Sequence, residues 1–571
     1  MEQWVLLRKG ADFEAIAKKH GISSRLACLI RNRDIIGEDA IRAYLQGTIA
    51  DLGDGMLLKD MDKAVDILLE KIREHRKIRV IGDYDIDGIN AAYILLEGLA
   101  ALGADADSDI PERMKDGYGL NIGLVERAYE DGVDTIITCD NGIAASEEIA
   151  CGKRLGMTVI VTDHHEVPYD EGEEERRYVL PPADAVIDPK QPGCPYPFKG
   201  LCGAAVAYKL VEALHEASGR DAEDMDYLIE NVAIATVGDV MDLTGENRIF
   251  VKEGLEMLKR TANPGLQALI ACTGMPKEHI TPYHIGFILG PCLNASGRLD
   301  TAKKALRLLE TRERKEADML AAELKALNES RKEMTEQAVE QAVMQAEEAG
   351  RHEDKVLVIY LADCHESLAG IVAGRVRERF HKPVFVLTDA KEGIKGSGRS
   401  VEAYHMYEEL SKCREMFTRY GGHRLAAGVS MEKDNLEKFR FCLNENCTLS
   451  EQDLMEKVTI DMELPFSCIN EGFIGELTLL EPFGKGNPKP VFAGRDIAFT
   501  NVRVMGRNRN VIKARAEDRS GACIDAVCFG DASDFQEKLR LGGGRLTVTY
   551  YPEINEYRGI CTLQITVTHY R

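Results

Sequence analysis

No stretch of this chain approaches the ~20 consecutive apolar residues that a membrane-spanning helix needs, so no membrane span is expected. The opening residues, MEQWVLLRKGADFEA, lack a long apolar core and a small-residue cleavage site. No secretory signal is expected there. The fifteen cysteines include no CxxC pair. An odd, unpatterned set reads as reduced thiols in the cytoplasm, not as a disulfide framework or a zinc site. There is no GxxxxGK(S/T) loop and no GxSxG elbow, which excludes the common nucleotide-triphosphate and serine-hydrolase signatures. Positive charge is scarce: 72 Lys and Arg stand against 95 Asp and Glu, a net charge of -23. Taken alone, this opposes nucleic-acid binding, which needs local positive potential. A narrow basic track on an acidic body, or metal ions in a carboxylate-rich site, would meet that objection.

What is present is organised. A chain of 571 residues predicts about three to four domains. From residue 77 to 190, apolar strand-like runs alternate with helical stretches, the βαβ signature of a parallel sheet. Residues 301–349 contain no Pro and no Gly, which predicts one long helix or two in tandem, read as a solvated connector. A second α/β unit follows, with strands at 356–360 and 384–387. After about residue 455 the pattern becomes short strands with turns, a small all-β barrel or sandwich. Residues 1–48 read as helical.

Three apolar runs each end in acid or histidine. Ile78–Ile81 leads into Asp83, Asp85 and Asp87 of IGDYDIDG; 135–139 leads into Asp140; 157–161 leads into Asp163, His164 and His165. Strand ends of an α/β sheet open into one crevice. Asp239 closes a later helical stretch in ATVGDVMDL. A DxD at a strand end is usually a solvated turn, and an isolated His-His is usually structural. Their joint occurrence in this order is a candidate site for divalent metal, Mn2+ or Mg2+, with carboxylate and imidazole ligands.

DYDIDG, Asp140 in TCDNGI, DHH at 163–165 and Asp239 in VGDV resemble the four ordered motifs of the DHH phosphoesterase family. IPERMKDGYGLN (110–121), LNASGRL (293–299) and EPFGKGNPKPVF (481–492) are similar to the family's single-strand-specific 5′→3′ exonuclease branch, and GSGRS (396–400) and YGGHRLAAG (420–428) resemble the DHH-associated domain. The resemblance implies a DHH parallel-sheet domain (49–300), a connecting helix (301–349), a DHH-associated α/β domain (350–450) and an oligonucleotide-binding barrel (451–571). It implies that Asp83, Asp85, Asp87, Asp140, His164 and Asp239 hold two metal ions, with Asp140 as the bridge. His165 would orient the site or assist proton transfer.

The same resemblance places DNA contacts at Arg113, Arg298, Ser397, Arg399, Gly422 and His423. Arginine suits a terminal phosphate because its fork binds two oxygens. Residues 502–515 carry Arg503, Arg507, Arg509, Lys513 and Arg515 without an acid, a local basic surface; Arg507 and Arg509 are its candidate strand contacts. Tyr551 and Tyr557 are candidate stacking rings, while Phe492 and Phe529 read as core. The chain departs from the family at Ile81, where many members carry histidine, and at Cys292, where related sequences carry arginine. The implied activity is release of 5′-mononucleotides from single-stranded DNA in repair and recombination. A single-strand binding protein and a helicase are the implied partners. The alternative is a DHH phosphodiesterase of short RNA or cyclic dinucleotides.

Overall fold

The computed structural model describes residues 2–112, 119–171, 176–348, 353–506, 508–557 and 559–571. Its first sheet has five parallel strands in the spatial order Asp105–Asp109, Lys77–Gly82, Thr135–Cys139, Thr158–Thr162, Ala185–Ile187. Side chains alternate across it, and both faces are apolar. Ile78, Val80 and Ile137 enter one core; Ile81, Ile136 and Val159 enter the other. Helices Ile86–Ala101 and Gly203–Ala217 cover the first face. Helices Ile122–Glu130 and Ser146–Arg154 cover the second. In sequence terms the strand order is 2-1-3-4-5. The order in which strands are added therefore reverses between the parallel neighbours Lys77–Gly82 and Thr135–Cys139, which opens a crevice at their carboxyl ends. That crevice receives DYDIDG and Asp140.

Two helices, Lys303–Glu310 and Arg314–Glu348, occupy the expected connector. The second is a connector, but not a solvated one throughout. Ala317, Leu320, Ala321 and Leu324 enter the core of the first sheet. Ala338, Ala342 and Ala346 pack against the second α/β unit. The spacing of three to four residues lets one helical stripe serve two cores.

The second unit has a five-stranded mixed sheet, ordered Arg419–Gly422, Ala426–Met431, Ile394–Arg399, Val384–Asp389, Leu357–Tyr360. Within it Cys413 and Cys442 form a disulfide, where free thiols were expected. Both lie in the same small core, which a 29-residue separation in sequence conceals. In the last unit, Phe492–Met505 pairs with both Val511–Glu517 and Arg545–Tyr557, which closes a barrel.

The N-terminal segment is not wholly helical. Glu2–Leu6 is a strand paired in parallel with Glu456–Ile460. Its partner lies some 450 residues away, so nothing local announces it. The three helices that follow place Leu26, Leu29, Ile30 and Ile41 in one core with Phe492 and Tyr550 of the barrel. Arg248, from the first unit, ties the pieces together. Its guanidinium donates to the carbonyls of Tyr44 (3.1 Å), Leu480 (3.0 Å) and Leu479 (2.9 Å). No helix among the described residues is long and apolar enough to cross a membrane.

Candidate metal centre

The acidic loop is shaped by the helix it starts. Asp85 caps Ile86–Ala101 and accepts the amide N–H groups of Asp87 (3.0 Å) and Gly88 (3.2 Å). Asp87 sits inside the first turn, fully buried. Its two oxygens accept the amides of Gly203 and Ala204, each at 2.7 Å, at the start of helix Gly203–Ala217. Those two donors lie at a helix N-terminus, which favours an anion. Asp140 has φ 59°, a left-handed conformation that Asp tolerates better than most residues. Gly203 leaves room for it: a Cβ there would sit 2.7 Å from that of Asp140.

His164 stands over the acids. Its Nε2 is 3.1 Å from Asp140 Oδ1, 3.5 Å from Asp87 Oδ2 and 3.9 Å from Asp239 Oδ2. Two ligand sets result: Asp83, Asp85 and Asp140 on one side, and Asp87, His164 and Asp239 on the other. Asp140 belongs to the first and touches the second through His164. His165 adds a third grouping with Asp140 and His164.

These residues fit a pair of divalent cations on the chemistry of the site itself. Asp83 Oδ1 is buried without a hydrogen-bond partner, and His164 turns Nε2 toward three carboxylates. Burial and the neighbouring acid Asp85 push Asp83 up to about 8 and Asp87 up to about 6. Burial, Asp87 and Asp85 push Asp239 up to about 8. Asp140 is driven well above the carboxylate range by burial and by Asp87. Burial and the adjacent His165 hold His164 down at about 3, so its imidazole is neutral, the form that binds metal. So many close-packed carboxylates, with His165 the cation grouped among them, call for further positive charge.

Asp163 has a role that its sequence position did not reveal. It accepts the amides of Ile143 (2.9 Å), His164 (2.7 Å) and His165 (3.1 Å), and its Oδ1 lies 2.7 Å from His165 Nδ1. It orients the histidines and is not among the grouped ligands. Burial opposes charge on His165, but Asp163 and the nearby acids outweigh it and raise the ring to about 9. Asn294 was also missed. Its Oδ1 accepts the Ile86 amide at 2.9 Å, which docks the helix Gly290–Leu299 on the acidic loop. The only signal was its place in LNASGRL. Ile81 is buried in the second core, so the first ligand set rests on Asp83 in place of a histidine there.

Across the crevice, Tyr84 of the acidic loop and the second unit's Glu366, Lys395, Ser397, Arg419 and Tyr420 line a cavity of about 430 Å³. Arg399 donates to Ser397 Oγ at 3.0 Å, and Gly370 lies close against both side chains. Arg298 donates to the Ser367 carbonyl at 3.0 Å, bridging to that unit. Gly422 has φ 148°, open only to glycine without strain. His423 is lowered by burial and by Arg399, which places them as neighbours. The sheet thus gathers Ser397, Arg399, Gly422 and His423 at one end.

Arg509 lies apart, exposed in the barrel hairpin before Val511–Glu517. Arg113 and Arg507 lie outside the described residues. In the same basic stretch, Arg515 pairs with Asp525 at 2.8 Å and is partly neutralised. Cys292 is buried and accepts from Asn328, so that position offers no surface cation. Phe492 is core as expected, but Phe529 is 64% exposed, because the strand turns that position outward. Tyr551 is half-buried under Lys489 (5.0 Å), and the side chain of Tyr557 is outside the described set.

A doubly wound sheet with acids and paired histidines at its switch point defines a DHH-type phosphoesterase. The sequence pattern of the DHH family N-terminal domain matches residues 77–236, that of the DHHA1 domain matches 353–448, and that of the RecJ OB domain matches 460–569. The chain is 35% identical over 560 residues to the single-stranded-DNA-specific exonuclease RecJ of Bacillus subtilis, covering 97% of this chain and 69% of that one. It is 34% identical to the RecJ of Salmonella typhimurium, covering 89% and 90%. The crystal structure of RecJ from Thermus thermophilus in complex with Mn2+ aligns with a TM-score of 0.83 at 28% identity, over 100% of this chain and 79% of that one. The Mg2+ complex from the same organism gives 0.78 at 27%, over 100% and 78%. The chain belongs to the RecJ family.

Proposed function

We propose that this chain is a metal-dependent exonuclease that degrades single-stranded DNA from the 5′ end to 5′-mononucleotides, in repair and recombination. The observation that carries this reading is the pair of ligand sets joined at Asp140, beside a cavity that Tyr84 shares with Lys395, Ser397 and Arg419 of the second unit. Asp83, Asp85, Asp87, Asp140, His164 and Asp239 would hold two Mn2+ or Mg2+ ions. Such ions supply a water-derived nucleophile at neutral pH and stabilise the departing oxygen.

The protein's own groups do the rest. Gly203 and Ala204 fix Asp87, and Asp163 fixes both histidines, so the ligands are held before substrate arrives. Held through Nδ1 by Asp163, the His165 ring is oriented to pass a proton to or from a phosphodiester oxygen. Asp163→Asn is expected to lower kcat about 10- to 100-fold by releasing His165, with the fold intact. An unchanged kcat in the purified variant contradicts that positioning role.

Arg399, with Ser397, Gly422 and His423, would receive the terminal 5′ phosphate, and Arg298 would steady the seam between the two units. We expect Arg399→Ala to raise KM for 5′-phosphorylated strands about tenfold, with little effect on 5′-hydroxyl strands. Equal effects on both would place Arg399 elsewhere on the strand path. Arg113, Arg507 and Arg509 complete the assigned strand contacts. The division at 49, 301, 350 and 451, the cytoplasmic location, and pairing with a single-strand binding protein and a helicase belong to the same reading. The test is turnover of a long single strand beside dinucleotides. Degradation of the long strand supports it; turnover of dinucleotides alone overturns it.

A further inference from the structure

The segment that carries Asn294 and Arg298 begins with two rings that nothing apolar covers. Tyr283 is 61% exposed and Phe287 is 66% exposed. Their rings are stacked, with centroids 4.9 Å apart and planes 26° from parallel. Burial is the usual fate of such surface. Residues Ile285–Leu289 form a π-helix, a form that recurs at functional sites because it re-aims side chains on an otherwise regular helix.

The position of the pair ties it to the metal centre. Gly286 faces Val237, two residues before Asp239, and Gly290 faces Ile86 between Asp85 and Asp87. Further along, Asn294 holds the Ile86 amide and Arg298 reaches Ser367 of the second unit. Eleven residues of helical rise separate Phe287 from Arg298, roughly 16 Å. The metal ligands thus lie between the two. The arginine end reaches the second unit at Ser367, and the aromatic end lies by Val237.

Beside Tyr283 a cavity of about 450 Å³ opens between the first unit and the approach to the barrel. Lys252, Lys259 and Lys489 line it, together with Phe483. It also contains Glu256, which pairs with Lys259 at 2.5 Å, and Glu481, raised by burial against the pull of Lys489 and Lys259. Three lysines beside stacked rings stand out on a chain with net charge -23. Stacked rings next to cations complement the bases and phosphates of a single strand.

We propose that Tyr283 and Phe287 form a base-stacking platform for single-stranded DNA leaving the metal centre toward the barrel, with Lys252, Lys259 and Lys489 facing the adjoining phosphates. This rests on the exonuclease reading above and extends it to the part of the strand not yet cut. The platform is indifferent to sequence, because every base has a π-face.

The experiment uses the full chain in an Asp140→Asn background, so that the strand is bound and not consumed. Binding of a 5′-phosphorylated strand is measured with Tyr283→Ala plus Phe287→Ala, and with a single abasic position moved along the strand. The double substitution is expected to weaken binding about tenfold. One or two abasic positions are expected to weaken the unsubstituted platform similarly, yet to cost nothing further in the double variant. Phe287→Trp is expected to keep the affinity. Both rings are exposed, so the melting temperature should hold. Unchanged affinity, or an abasic profile that ignores the substitutions, overturns the platform. Failure of the exonuclease reading is separately visible, as long single strands left uncut by the unsubstituted protein.

Discussion

Asp140→Ala is expected to lower DNA hydrolysis at least about a thousandfold, equivalent to about 4 kcal/mol of lost transition-state stabilisation. Asp140 sits in the first ligand set and contacts His164 of the second, so its removal damages both at once. Neighbouring acids touch one set only and should cost less. The fold is expected to survive. Removing one carboxylate relieves repulsion from Asp87 and Asp85. Against that, alanine is strained at φ 59°, at a cost of about 1–2 kcal/mol. Asp140→Asn separates the two effects, because asparagine tolerates the left-handed conformation and lacks the charge. Both variants should bind single-stranded DNA through the cavity of the second unit and the barrel. Hydrolysis near the unsubstituted rate in either variant removes Asp140 from the centre.

The second large effect concerns the cations. Without them the protein is expected to be inactive and to melt earlier. Cations at about a hundred times their Kd stabilise by about 2.7 kcal/mol, or roughly 5–10 °C for a domain of this size. The pH dependence has a definite sign. Asp83 and Asp239 are raised to about 8 and Asp87 to about 6, all above their ordinary values near 4. The metal-free folded state therefore holds protons that the unfolded chain releases. Its stability is fullest below about pH 4 and is lost as pH rises toward 8, as far as these groups are concerned. Cations replace those protons, so the gap between metal-bound and metal-free melting should widen from pH 6 to pH 8. Calorimetry with and without Mn2+ at the two pH values checks this. A gap that narrows would mean that the acids are not the cation ligands.

Much of the first sheet was legible because its central strands are buried on both faces and read as largely apolar runs, whereas the edge strand Asp105–Asp109 does not. The acids that end them are legible only jointly: each alone reads as a solvated turn, and their recurrence at successive strand ends marks one crevice. The barrel was legible from its alternation, although Val511–Glu517 was hidden inside a basic stretch. What stayed hidden depends on distant partners. Trp4, Val5 and Leu6 look unremarkable until Glu456–Ile460 lies beside them. Asp163 looks like another ligand until its oxygens are seen to be taken by three amides and a ring. Tyr283 and Phe287 have the i, i+4 spacing of a core-facing pair, and only their exposure distinguishes them. Phe529 misled in the same way.

The central claim is that two cation-binding sets at one crevice cut a single strand from its 5′ end. The most direct measurement follows a long single strand labelled at the 5′ or the 3′ end, with Mn2+ and with chelator. The account predicts that, with Mn2+, the 5′ label appears at once as mononucleotide while the 3′ label stays on progressively shorter strands. Nothing should happen with chelator, and a blunt duplex should resist. Early release of the 3′ label, or cleavage that persists in chelator, would contradict it.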